Sequence, residues 1–238
     1  MHEQILRCTG ISKSFTFRGA ASNHLQDQLL RKNQKHPVWS VSAVNNVSLA
    51  IRPGEWVGLY GPNGCGKTTL LRLIAGLMEA DLGSILCHGT MSCFFTLGTG
   101  FHDDKKAEEN IFIHGLLHGL RAKDVRAITD QIIAFSGTES HRELPLKYLS
   151  SGMRARLAFS AAVHIDSDLY IFDEALAVGD AAFRLVCMEK FAELKRRGKS
   201  GIVVDHDMTT LRNICDRILH LENGHIVHEE MAPFTPRE

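Results

Sequence analysis

No stretch of this chain approaches eighteen uninterrupted apolar residues, roughly the length a helix needs to cross a bilayer's apolar core, so a spanning segment is excluded. Charge of one sign is missing as well. The 27 Lys and Arg offset 27 Asp and Glu for a formal net charge of zero, with no basic block. Nothing therefore draws the protein generically to nucleic acid or to an anionic membrane surface. The six cysteines contain no C-x-x-C pair, and most stand inside apolar runs, as reduced thiols do, so no structural disulfide is expected. There is no H-E-x-x-H. The i,i+4 pair His114 and His118 is the nearest thing to a metal pair, and Gly115 and Gly119 loosen the helix it would need. The opening residues lack the basic-then-apolar build of a signal peptide, which predicts a cytosolic chain.

What the chain does have is a phosphate cradle. Trp56 to Tyr60 is an apolar run, Gly61-Pro62-Asn63-Gly64-Cys65-Gly66-Lys67-Thr68-Thr69 follows with G-x-x-x-x-G-K-T spacing, and Leu70, Leu71, Leu73, Ile74 and Leu77 recur at mostly helical intervals. Strand, loop and helix in that order bring backbone N–H groups and the positive end of a helix dipole to one point. Lys67 is placed to reach β- and γ-phosphates, and the Thr68 hydroxyl to ligate Mg²⁺. Cys65, beside Lys67 and a helix N-terminus, is expected to be an alkylable thiolate that ATP shields.

Around this loop the pattern alternates between strands and helices. Ile5 to Cys8, Phe15 to Phe17 and Val41 to Ile51 read as strands, with a polar insertion from about 18 to 37 carrying Leu25, Leu29 and Leu30 on one stripe. Strands follow at Ser84 to Cys87 and Met91 to Leu97. Ala107 to Phe135 is helical, with Ile111, Leu116, Leu120, Val125, Ile128, Ile132 and Ile133 available for burial. Ser150 or Ser151 stands where the N-cap of a further helix belongs, ahead of Gly152 and Met153. Leu169 to Phe172 is a buried parallel strand, and Asp173 and Glu174 stand at its C-terminal end, where open α/β sheets place ligands. The first carboxylate suits Mg²⁺, the second the orientation or deprotonation of water. Gly201 to Val204 ends in Asp205-His206, which puts a histidine within reach of a γ-phosphate.

Lys67 and Thr68, Ser150-Ser151-Gly152-Met153, Asp173-Glu174 and His206, in this order and spacing, resemble the ATP-binding subunit of ABC transporters along nearly the whole chain. An N-K-x-D base reader, which a GTPase would need, is missing. The resemblance implies an α/β fold: a P-loop NTPase core of mainly parallel sheet (54–102 and 165–238), an N-terminal antiparallel β subdomain (1–53), and an inserted α-helical subdomain (103–164). It implies ATP and Mg²⁺ as ligands, Lys67, Glu174 and His206 as catalytic residues, and Thr68 and Asp173 as metal ligands. Ser150, Ser151 and Gly152 would grip ATP held by a second copy, and Asp180 would communicate between the two ATP sites. The adenine-stacking aromatic is Phe15 or Trp39, on either side of the insertion. The family's Q-loop glutamine is absent, with Thr96 or His102 near its place.

The run from Ser150 to Ser160, the stretch Asp173 to Asp180 with Phe183, and Leu97 to His102 with Glu109-Asn110-Ile111 look like the branch exporting capsular polysaccharide, O-antigen and teichoic acid. That branch implies permease subunits and a glycan as partners, the cytoplasmic face of the inner membrane as location, and a role for the 18–37 insertion in guiding substrate. With no carbohydrate-binding extension in the sequence, the resemblance leans to the capsule or teichoic type. The alternative is a soluble ABC ATPase of an assembly or nucleic-acid machine.

Overall fold

The computed structural model describes residues 3–18, 38–95, 101–174 and 180–232. β1 (Leu6–Arg18) and β2 (Val38–Ile51) form a long antiparallel hairpin, and β4 (Leu82–Cys87) pairs with the other edge of β1. β1 is one strand where the sequence predicts two short ones. The turn-like Thr9-Gly10 is absorbed as a register shift between Cys8 and Ile11, with Gly10 at φ 60°, because a bulge accepts an extra residue without ending the pairing. Residues 19–37, the bulk of the predicted insertion, lie outside the described residues. Its flanks, Arg18 and Val38, are direct cross-strand partners.

The second sheet runs in the order β5, β6, β7, β3, β8, β9. β5 (Met91–Phe94), β6 (Leu169–Asp173), β7 (Ser200–Val204), β3 (Trp56–Tyr60) and β8 (Arg217–Glu222) are mutually parallel, and β9 (His225–Met231) returns antiparallel. β6 and β7 are buried at every position, which explains their unbroken apolar sequence: helices or the first sheet cover both faces. Asn223 and Gly224, at φ 48° and 80°, make the primed turn that an Asn-Gly pair favours between β8 and β9.

Six α-helices complete the described residues: α1 (Lys67–Ile74), α2 (Ala107–Leu117), α3 (Ala122–Ser136), α4 (Ser151–His164), α5 (Ala181–Arg196) and α6 (Met208–Ile214). α2 and α3 are two helices where the pattern reads as one, parted at Gly119 with φ 82°. They cross where Gly115 lies against Val125, since a Cβ there would come within 2.5 Å of Val125 Cγ2. That contact selects the buried face of α2, so Ile111 is buried while Leu116 is left 43% exposed, contrary to its periodicity.

One apolar cluster joins the two sheets around Leu6, Ile51, Leu59 and Leu71. A second, aromatic cluster lies on the opposite face of the large sheet. There Trp56, Phe159, Phe172 and Phe191 interlock, with Phe172 and Phe191 centroids 4.8 Å apart. A third joins α2, α3 and α4. α4 belongs to both of the last two: Ala155 and Phe159 face the sheet, Leu157 and Ala161 the other helices.

Candidate functional site

The loop from Gly61 to Gly66 hangs between β3 and α1, and glycine is required at both ends. A Cβ on Gly61 would run into the Leu221 carbonyl oxygen, and one on Gly66, at φ 110°, into that of Ala43. The loop is therefore clasped between the β8–β9 turn and β2, and Gly224 N–H adds a 2.9 Å bond to the Cys65 carbonyl. No side chain caps α1, so its first N–H groups are directed into the loop. Lys67 is only 6% exposed, and its ammonium donates to the Gly61 and Pro62 carbonyls at 2.7 and 3.0 Å. Pro62, Asn63, Gly64 and Thr68 face outward, and Thr69 is half-buried.

Cys65 is not presented to the loop's outer surface, where an alkylable thiol would have to stand. Its side chain is 5% exposed and belongs to the cluster between the sheets. With Pro62, Asn63 and Gly64 turned outward, the Cys65 side chain turns in, under Gly61.

Parallel pairing brings the remaining groups to the same edge. Asp173 lies opposite Val204, and Val204 opposite Leu59, so the ends of β6, β7 and β3 are neighbours and release Glu174, Asp205 and the loop side by side. Asp173 is 4% exposed with Oδ1 unpartnered. Burial raises its carboxyl above the usual range, and the Glu174 charge adds to this; a Thr68 hydrogen bond and the charges of Arg72 and Lys67 oppose it. Glu174 takes a left-handed backbone, φ 52°, a conformation that costs a non-glycine residue of order 1 kcal/mol. Its N–H is held by the Val204 carbonyl at 3.0 Å, and its Oε1 accepts the Nε2–H of His206 at 2.8 Å. Asp207 caps α6 through the N–H of Thr209, which anchors the turn bearing His206.

Thus Lys67, Thr68, Asp173, Glu174 and His206 are assembled at one edge. Ser150, Ser151 and Gly152 are elsewhere, at the N-terminus of α4, where the Ser150 hydroxyl accepts the Met153 N–H at 3.2 Å. Both serines are exposed. Asp180 caps α5 and bonds Arg156, a partner that the sequence reading missed. The Phe183 N–H, first, and the Arg156 charge hold its carboxyl below the usual range. Phe15 faces Val41 across the hairpin, and Phe17 faces Trp39. Phe15 and Trp39 therefore share one face of the same ribbon, with Phe17, Trp39 and Val41 each more than half exposed. The i,i+2 spacing of Phe15 and Phe17 was the available signal. Thr96 lies outside the described residues. His102 is exposed, its N–H bound by the buried Asn110 side chain at 2.6 Å. His118 spends its Nδ1–H on the His114 carbonyl.

Residues 44–177 match the family model described as ABC transporter. This chain belongs to the ABC transporter family. The cassette is 38% identical over 223 residues to an O-antigen export system ATP-binding protein of Myxococcus xanthus, a match covering 91% of this chain and 51% of that protein. It is 38% identical over 189 residues to a teichoic acids export ATP-binding protein of Lactiplantibacillus plantarum, covering 79% and 51%. The cassette thus spans about half the length of these two relatives. In fold it matches a dimeric ATP-binding cassette solved in a post-hydrolysis state with ADP and Pi, with a TM-score of 0.78 at 19% identity over 97% of this chain and 100% of that one. The α/β cassette architecture expected from the sequence is therefore the one present.

Proposed function

We propose that the cassette is the ATP-hydrolysing subunit of an exporter that moves a polysaccharide across the cytoplasmic membrane, working as two copies that sandwich ATP beneath integral-membrane permease subunits. The relatives' names support the polysaccharide. The observation that carries the enzymatic part is the pairing of Glu174 with His206 beside the buried Asp173 and the exposed Thr68, at the mouth of the Lys67 loop.

In this reading Lys67 exchanges the Gly61 and Pro62 carbonyls for β- and γ-phosphate oxygens, and the uncapped N–H groups of α1 donate to the same phosphates. Glu174 takes a proton from water as the water oxygen bonds to the γ-phosphorus. The bond to the β-γ bridging oxygen breaks, its electron pair leaving with ADP. The Nε2–H of His206 keeps the carboxylate aimed. Asp173, with one buried oxygen unpartnered and the Thr68 hydroxyl at hand, presents the hard oxygen donors that fit Mg²⁺. When bound there, the ion would neutralise charge on the phosphates. The face shared by Phe15, Phe17, Trp39 and Val41 would take the adenine. The exposed Ser150 and Ser151, with the half-buried Gly152, would meet the other copy's γ-phosphate, and Asp180 lies on the route between sites. We read 103–164 as the helical subdomain and the α2–α3 groove at Phe112, Arg126 and Arg142 as the permease's seat.

The test is ATP turnover by purified protein with two variants. Glu174→Gln should retain nucleotide and lose roughly 100-fold or more in rate, the scale of a general base, whereas Lys67→Ala should lose nucleotide itself. Wild-type turnover by Glu174→Gln would remove Glu174 from its role. Cells carrying only Lys67→Ala should lack the surface polysaccharide, and its normal presence would reject the export assignment.

A further inference from the structure

Arg156 has no role in the chemistry above, yet it joins two elements that serve it. It stands in the second turn of α4, whose N-terminus displays Ser150 to Gly152. Its Nη2 lies 2.9 Å from Asp180 Oδ2, and its guanidinium carbon is 5.1 Å from the centre of the Phe183 ring. The other Asp180 oxygen, Oδ1, accepts the Phe183 N–H at 2.9 Å. One side chain therefore holds both the N-cap of α5 and the first residue that α5 buries. The Phe183 ring packs edge-on against Phe159 of α4 and Phe135 of α3, with centroids 6.0 Å away in each case. Asp180 in turn follows Glu174 by only six positions in the chain.

A planar, permanently charged fork that stacks on an aromatic face while pairing with a carboxylate is a task for arginine and not for lysine. The ion pair alone would be a weak reason, since Asp180 is largely exposed and solvent screens it. Capping, ring contact and ion pair on the same two residues make a clamp.

We infer that Arg156 is a positioning residue: it fixes the N-cap of α5, six positions after Glu174 in the chain, against the helix whose N-terminus is proposed to face the second copy. This rests on the ATPase reading and adds to it a clamp within each copy between the start of α5 and the surface proposed to grip the partner's nucleotide. Asp180→Asn separates the two functions of Asp180, because asparagine caps a helix as well as aspartate does but cannot form the ion pair.

The experiment is a double-mutant cycle of Arg156→Gln and Asp180→Asn on the whole protein, reading steady-state hydrolysis and urea unfolding together. Each single variant should lose roughly 10- to 100-fold in kcat with KM for ATP changed by less than about twofold, the pattern of misplaced groups and intact binding. The double variant should be no worse than either single one, and Arg156→Lys should recover only part of the loss. Equal kcat in Arg156→Gln and wild type, additive losses, or a loss confined to KM would overturn the inference. Unfolding keeps the two proposals apart. If wild type does not hydrolyse ATP, the ATPase reading fails, whereas the link stands or falls on whether the two substitutions destabilise the fold non-additively.

Discussion

Cys65 and His114 show how a single side chain's surroundings reverse what its neighbours in sequence imply. Cys65 sits in the phosphate loop yet is 5% exposed. The folded protein should resist iodoacetamide at Cys65 with or without ATP, and labelling should appear only as the chain unfolds in urea. Rapid labelling at Cys65 under native conditions would mean that the loop opens. His114 is 6% exposed, with Nε2 unpartnered and its ring centroid 5.6 Å from that of Phe101. Burial, first, and then the nearby His118 push its pKa from 6.5 down to about 3. The folded state therefore refuses a proton that the unfolded chain accepts below pH 6.5. Stability is full above that pH and declines as pH falls toward 3, by about 1.4 kcal/mol per pH unit for one proton. His114→Leu should be less acid-labile than wild type. An unchanged difference in melting temperature between pH 7 and pH 5 would show that other groups dominate.

Among the elements, the β1–β2 hairpin separates support of the fold from whatever residues 19–37 contribute. Arg18 and Val38 are paired directly, so replacing 19–37 with Asn-Gly closes the hairpin by the tight turn that suits this geometry. The expected product folds, melts within a few degrees of wild type and binds ATP, because β1 and β2 keep every cross-strand pair. Surface polysaccharide should be lost if the segment guides substrate. Export by the shortened protein would make it a solvated loop, and failure to fold would give it a structural role that the hairpin register does not predict.

For the whole molecule, the proposed ATP-bridged pair depends on the exposed start of α4. Gly152 has open space around it: a Cβ there would meet only the Ser150 hydroxyl oxygen, at 4.0 Å. Gly152→Asp should therefore leave the monomer intact and put a negative charge where a second copy's γ-phosphate is proposed to approach. With ATP, Glu174→Gln should run as a dimer in light scattering, and Glu174→Gln/Gly152→Asp as a monomer that still binds ATP through its own phosphate loop. A dimer of the double variant would place the contact elsewhere.

The phosphate loop, the acidic pair at the end of β6, the capped start of α4 and the family itself were legible from sequence, because each is a contiguous run whose spacing is set by local backbone geometry. Where the chain's side chains face was not. The turn of Cys65 inward, the exposure of Leu116 and the shared face of Phe15 and Trp39 follow from which surfaces pack and from strand register, to which neighbouring residues are blind. The meeting of Lys67, Asp173 and His206 depends on β6, β7 and β3 lying side by side, and the grip of Arg156 on Asp180 on α4 and α5 sharing one aromatic cluster. Such contacts join residues far apart along the chain, and only packing of the whole core selects among the partners that composition allows.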